Sequence, residues 1–218
     1  MVGTLGTLTA FSFYATKNLT TAEGGMLTGA VELLDTARIW SLHGMSRDAW
    51  KRYDRGGSWY YEVILPGFKY NMTDIQASLG LGQLGRLPGL HARRREVAHA
   101  YNRAFSQFEA LETPTERPEV EHAWHLYPLR LRPAALRLDR DQFIAELTDR
   151  NIGTSVHFIP VHLHPYHRDR YSYQPEDYAV SYRNFQRSTS LPLHPGLSDQ
   201  DVADVIEAVI EVVRTFGA

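Results

Sequence analysis

The spacing of apolar and polar residues changes several times along the 218 residues. Thr7 to Phe13 is an apolar-rich run that reads as a buried strand. A polar loop follows from Tyr14 and closes in the glycine pair Gly24-Gly25 before a second short strand at Met26-Leu27. Val31, Leu34, Ile39 and Leu42 recur at helical spacing. They predict three turns ending at His43-Gly44, with the glycine as the left-handed residue beyond the last turn. From Ser46 to Tyr70 the period fades into Arg, Asp, Gly, Trp and Tyr, which predicts a long loop of the kind that usually carries function.

Periodicity returns at Thr73-Asp-Ile-Gln76, a capping box whose two side chains satisfy each other's orphan backbone donors. The helix it opens is expected to stop at Pro88-Gly89, with a second helix from His91 to Phe108. Arg93-Arg-Arg95 beside Glu96 reads as a solvated helix face. Beyond an exposed Pro- and Glu-rich connection (113–121), the expected order is a strand (124–131), a helix (140–150) and a stop at Asn151-Ile-Gly153. A strand (154–159) and a His- and Tyr-rich loop follow. Ser198-Asp-Gln-Asp201 opens the final helix, whose apolar face is Val202, Val205, Ile206, Val209, Ile210 and Val213. The division expected is residues 1–89, a few elements of a larger domain, and residues 90–218, a small α+β domain.

Composition narrows the function classes. Hydrophobic residues make up 43% and charged residues 22%, the balance of a soluble globular chain, and the formal charge of −2 gives no basic field for nucleic acid or an anionic membrane. No apolar run approaches a membrane span, and the N-terminus lacks a signal-peptide pattern, so a cytoplasmic protein is expected. Absence of cysteine excludes disulfides, zinc–thiolate sites and thiol nucleophiles. Val156-His-Phe-Ile-Pro-Val-His-Leu-His-Pro-Tyr-His167 packs four histidines into a short stretch. Its imidazoles have no carboxylate or thiolate beside them, so it reads as an incomplete metal site, and no metal is expected.

Only Lys17, Lys51 and Lys69 are lysines. A lysine amine can condense with an aldehyde cofactor, the hydroxyls of Ser12 and Thr16 can donate to a phosphate, and Gly24-Gly25 permits close backbone approach. By spacing alone, a lone loop lysine is ordinarily a solvated surface residue.

The wording of the segment Ser12-Phe-Tyr-Ala-Thr-Lys17-Asn-Leu-Thr-Thr-Ala-Glu-Gly-Gly25 resembles the cofactor-lysine segment of the DegT/StrS nucleotide-sugar aminotransferases. His43-Gly-Met-Ser-Arg-Asp-Ala-Trp50, Pro66-Gly-Phe-Lys-Tyr-Asn-Met-Thr-Asp-Ile-Gln-Ala77 and Ser190-Leu-Pro-Leu-His-Pro-Gly196 agree with the same family, in family order. The resemblance implies an α/β fold, the C-terminal part of a PLP-dependent, aspartate-aminotransferase-like architecture, with partial large-domain elements and a small α+β domain. It implies pyridoxal 5'-phosphate as cofactor, held by Lys17, with Ser12 on its phosphate. It also implies that Asn71 reaches the phosphate of a partner subunit's site, which makes a homodimer with a composite active site. His157 and His162, in the loop that the resemblance places at the substrate entrance, become candidates for substrate contact. The activity implied is transfer of an amino group from an amino acid, glutamate by this reading, to a keto-sugar nucleotide.

Two departures stand out: Thr7 where the family often carries aspartate, and Pro88-Gly89 in a helix that members commonly run through. The residues that in this family stack on the pyridine ring and pair with its nitrogen have no counterpart in the sequence. The alternative expectation is therefore a truncated, catalytically inactive relative.

Overall fold

A computed structural model describes residues 2–46 and 60–218, which cluster into two units, Met1–Leu87 and Pro88–Ala218. In the first, β1 (Leu8–Ser12) and β2 (Gly25–Gly29) form an antiparallel pair, with Ser12 opposite Gly25 and Leu8 opposite Gly29. The lysine segment is the loop joining them. α1 (Val31–Ser41) follows. It ends one residue earlier than its pattern predicts, so His43 rather than Gly44 takes the first left-handed position, at φ 56°. The Gly44 N–H still closes the turn on the Ile39 carbonyl at 3.0 Å. The Trp40 carbonyl is taken by the Phe68 N–H at 2.7 Å, which ties the later loop to this helix end. Much of the expected 46–70 loop, with Lys51 and the second half of the His43–Trp50 block, lies outside the described residues.

α2 (Asp74–Phe105) begins at the expected cap: the Thr73 N–H donates to Gln76 Oε1 at 2.9 Å, and the Gln76 N–H to Thr73 Oγ1 at 3.3 Å. The helix does not stop at Pro88-Gly89 but continues through both. A proline removes one N–H donor from the ladder, and the strong helix formers on both sides (Gln83, Leu84, Arg86, Leu87, Leu90, Ala92) sustain the helix across the gap. The break expected from the sequence, and the separate helix after it, are corrected on this point.

The second unit holds the core. β3 (Leu111–Glu112), β4 (Tyr127–Leu131) and β5 (Ser188–Leu191) form an antiparallel sheet in the order β3-β4-β5. β4 alternates buried Tyr127, Leu129 and Leu131 with half-buried Pro128 and Arg130, the pattern of a strand with one covered face. α3 (Arg140–Asp149) and α6 (Asp199–Phe216) both contribute buried side chains to this core. α3 is opened by an Asp139–Gln142 capping box and closed by Asn151 at φ 61°, with the Ile152 N–H on the Leu147 carbonyl at 2.9 Å. Along α6 the buried line is Val202, Val205, Ala208, Val209, Val212 and Val213, so Ile206 and Ile210 flank the core instead of centring it. Tyr101, Phe105, Trp124 and Tyr127 are fully buried, with the Tyr101 and Tyr127 rings edge-on at 5.0 Å. Burial pushes both phenol pKa values up, and each hydroxyl finds an acceptor: the Pro192 carbonyl at 2.9 Å and Asn102 Oδ1 at 2.7 Å.

Three further sequence expectations need correction. The strand expected over 154–159 is reduced to one bridge, Ser155 with Ser190, because β5 already pairs with β4 and Pro160 curtails the second edge. The His- and Tyr-rich loop contains two helices, α4 (Pro165–Tyr171) and α5 (Ala179–Arg187). Arg93-Arg-Arg95 is not a solvated face: Arg94 is buried, and the Arg93 guanidinium donates to the Leu197 carbonyl at 2.8 Å and meets Asp199 at 2.8 Å. No helix among the described residues is long and apolar enough to cross a membrane.

Candidate functional site

The lysine loop is held at both ends and from one side. At its start the Tyr14 N–H donates to Ser12 Oγ at 3.3 Å, which leaves the serine hydroxyl proton free to donate elsewhere. The Lys17 N–H then closes a turn on the Tyr14 carbonyl at 2.9 Å, presenting a half-buried Lys17 at the turn's end. At its far end, the Phe13 carbonyl accepts the Thr21 N–H at 2.9 Å and the Thr20 hydroxyl at 3.1 Å, folding the loop back on its own strand.

The side support comes from one face of α2. Gln83 makes a two-point amide contact with a single residue: the Thr20 N–H donates to Gln83 Oε1 at 3.1 Å, and Gln83 Nε2 donates to the Thr20 carbonyl at 2.6 Å. Gln76 Nε2 donates to the Glu23 carbonyl at 2.9 Å. Between them Gly80 leaves room, since a β-carbon there would stand 3.1 Å from the Thr21 side chain. Gln76, Gly80 and Gln83 follow the i, i+4, i+7 spacing of one helix face, a signal present in the sequence that the lysine-centred reading passed over. Gly24 is constrained more tightly: at φ +144° a β-carbon would meet Thr21 Oγ1 at 2.5 Å and the Met72 Cε at 2.8 Å.

Asn71 lies elsewhere on this unit. Its Oδ1 accepts from Lys69 Nζ and its amide donates to the Met72 carbonyl at 3.3 Å. It lines a groove of about 900 Å³ with Phe11, Met26, Arg38 and Tyr70, whose lining includes neither Ser12 nor Lys17. Ser12 thus ends β1 and Lys17 lies in the loop that follows it, while Asn71 lines the groove beside Phe11 and Met26.

In the second unit the two histidines singled out by sequence separate. His157 is exposed, its Nδ1 2.9 Å from Ser190 Oγ. His162 is buried against Tyr178, ring centroids 4.8 Å apart, with Nε2 lacking a partner. No group of three potential metal-ligating side chains exists among the described residues. The donor set of the lysine loop, an amine and a free hydroxyl proton on a turn, fits a small anionic aldehyde.

Comparison with known proteins agrees with that chemistry. Residues 1–210 match the DegT/DnrJ/EryC1/StrS aminotransferase family. The chain is 52% identical over 213 residues to Uncharacterized protein MJ1066 of Methanocaldococcus jannaschii, covering 97% of this chain and 55% of that protein. It is 52% identical over 216 residues to the spore coat polysaccharide biosynthesis protein SpsC of Bacillus subtilis, covering 98% and 56%. Among solved structures, the putative sugar aminotransferase Spr1654 of Streptococcus pneumoniae in its PMP form superposes with a TM-score of 0.87 at 36% identity, covering 98% of this chain and 55% of that one. Its PLP form gives 0.86 at 35% identity, covering 98% and 53%. The chain spans about half the length of these relatives.

Proposed function

Because the chain belongs to the DegT/DnrJ/EryC1/StrS aminotransferase family, we propose that it carries the lysine-bearing part of a cytoplasmic enzyme that moves an amino group from an amino acid to a keto-sugar nucleotide. Glutamate is our choice of donor. Family resemblance supports pyridoxal phosphate as the cofactor. When bound, that group supplies a ring that withdraws electrons from the substrate carbon.

The chain's own residues divide the remaining work. Lys17 Nζ would hold the cofactor at its aldehyde carbon, with loss of water, and once freed by the substrate amine would carry a proton between the substrate and cofactor carbons. The Ser12 hydroxyl would donate to the phosphate. Asn71 is proposed to serve the phosphate of a second copy's site, so the working form is a homodimer. The apolar residues left exposed along the first half of α2, Ile75, Leu79, Leu81 and Leu84, support such an interface. His157 is the accessible substrate contact, and His162, buried on Tyr178, shapes the same loop. In this reading residues 1–89 are the cofactor-lysine domain and residues 90–218 the small domain.

The observation that carries the proposal is the restraint of the Lys17 loop at two points, Thr20 and Glu23, by Gln83 and Gln76 from one face of α2. Its test is addition of pyridoxal phosphate to the intact chain, reduction with borohydride and mass-spectrometric mapping of the modified lysine. The label is expected at Lys17. A label spread evenly over Lys17, Lys51 and Lys69 refutes the assignment. No label at all favours the second reading, a truncated, catalytically inactive relative.

A further inference from the structure

Ser190 opens the Ser190–Gly196 block singled out in the sequence, yet the function proposed above gives it no part. It is 6% exposed and sits in β5 opposite Pro128 of β4. From there it reaches the segment that carries His157 in three ways. Its N–H donates to the Ser155 carbonyl at 2.7 Å, its carbonyl accepts the Ser155 N–H at 3.1 Å, and its Oγ lies 2.9 Å from His157 Nδ1. The first two contacts fix the backbone at Ser155. The third holds the imidazole two residues further on, on the side that extended backbone shares between such positions.

The polarity of that third contact follows from what else each group can do. A hydroxyl has one proton to give, and a neutral imidazole has one nitrogen to accept it. Among the described residues, Ser190 Oγ has no hydrogen-bond partner but His157 Nδ1. A buried hydroxyl proton without an acceptor is costly, so the serine proton goes to Nδ1. The bond made by one ring nitrogen sets the state of the other, and the neutral ring carries its own hydrogen on Nε2. The two nitrogens face opposite ways across the ring, so Nε2–H is directed away from buried Ser190, on a side chain that is exposed. Nε2 has no partner of its own among the described residues. In a nucleophilic serine–histidine pair the serine is the reacting atom and must be open to substrate. Here the serine is buried and the imidazole exposed, so the working end is the ring.

We propose that Ser190 is a positioning residue that fixes His157 as an Nε2–H donor, aimed at an acceptor oxygen of a bound ligand and unable to serve there as a base. That the ligand is the sugar nucleotide rests on the function proposed above; the orientation of the ring does not.

The test is long-range proton–nitrogen NMR of the intact, 15N-labelled chain at about pH 8.5, where an ordinary imidazole is neutral. The His157 ring is assigned as the signal lost in His157→Gln. In the wild-type chain it is expected in the Nε2–H form, with Nδ1 shifted as a hydrogen-bonded acceptor. Ser190→Ala should remove that shift and Ser190→Thr, which keeps the hydroxyl, should restore it, with α6 amides as the check that each variant is folded. A hydrogen on Nδ1 in the wild-type chain would overturn the proposal, and so would an unchanged Nδ1 signal in folded Ser190→Ala. The wild-type spectrum decides the tautomer even if neither variant folds. Titration with UDP-glucose is then expected to move the Nε2 signal, with affinity about three- to tenfold weaker in Ser190→Ala, the scale of one hydrogen bond, and recovered in Ser190→Thr. Equal affinity in Ser190→Ala would overturn the positioning role. If UDP-glucose leaves the His157 signals unmoved, the reading of His157 as a substrate contact fails, while the tautomer still decides how Ser190 holds the ring.

Discussion

Replacing Gln83 with leucine should loosen the lysine loop while leaving the rest of the chain folded. The substitution keeps a good helix former at a half-buried position of α2 but removes both amide contacts to Thr20. A net contribution of about 0.5–1.5 kcal/mol per hydrogen bond gives about 1–3 kcal/mol for the pair. If that energy holds the loop against local opening, amide exchange should speed up by about 5- to 150-fold. The assay is hydrogen exchange by NMR or peptide mass spectrometry, read at Thr20 and Thr21, with α6 amides as the internal control. Lys17 sits three residues before Thr20, so pyridoxal phosphate labelling of the variant should lose selectivity for Lys17 in parallel. An unchanged Thr20 exchange rate in a folded variant would refute the reasoning. It would mean that the loop is held by its own contacts to Phe13 and not by the helix.

Two further effects can be read from the second unit. Burial alone would raise the Glu112 pKa, but hydrogen bonds from Arg130 and Arg187 outweigh it and hold the carboxyl below its ordinary 4.5. A depressed folded-state pKa stabilises above the unfolded value and the benefit fades as pH falls through the folded one; the Tm gap between the wild-type chain and Glu112→Gln should therefore be full near neutrality and close as pH drops below about 4.5. Leu147→Ala should cost about 2–5 kcal/mol in urea unfolding, because the Leu147 side chain is fully buried in the core cluster; a cost below 1 kcal/mol would mean the site collapses around the smaller side chain.

What was legible in the sequence was mostly local chemistry. The Thr73–Gln76 and Ser198–Asp201 boxes form as spacing predicts, because a cap needs only residues three apart. The Asn151 stop is equally local. Pro88 misled because proline's cost is fixed while its consequence depends on the helix formers around it. α4 and α5 escaped notice because they are short, seven and nine residues, and neither buries a residue fully. In α6 the stripe was visible but its centre was set by the core it packs into, where Ala208 and Val212 are buried and Ile206 and Ile210 lie at the margin. The lysine segment was found by its wording. The parts that restrain it, Gln76, Gly80 and Gln83, lie some sixty residues away, where only folding reveals their common face. Arg94 was misread for a related reason: one arginine of three is buried, and neighbours in sequence do not tell which.

The two units differ most in what they hide. Among the described residues of the first, only Thr21, Gly44 and Met45 are buried, while the second contains the whole apolar cluster from Val97 to Val213. Heat capacity follows the apolar surface that unfolding exposes, so an isolated copy of this chain should melt with an increment close to that of its second unit. Calorimetry should give about 1.7 kcal/mol/K, against about 2.9 kcal/mol/K for a chain of this length with a core throughout. Any partner that covers the first unit would make up the difference, and the missing increment would then measure how much apolar surface that partner buries.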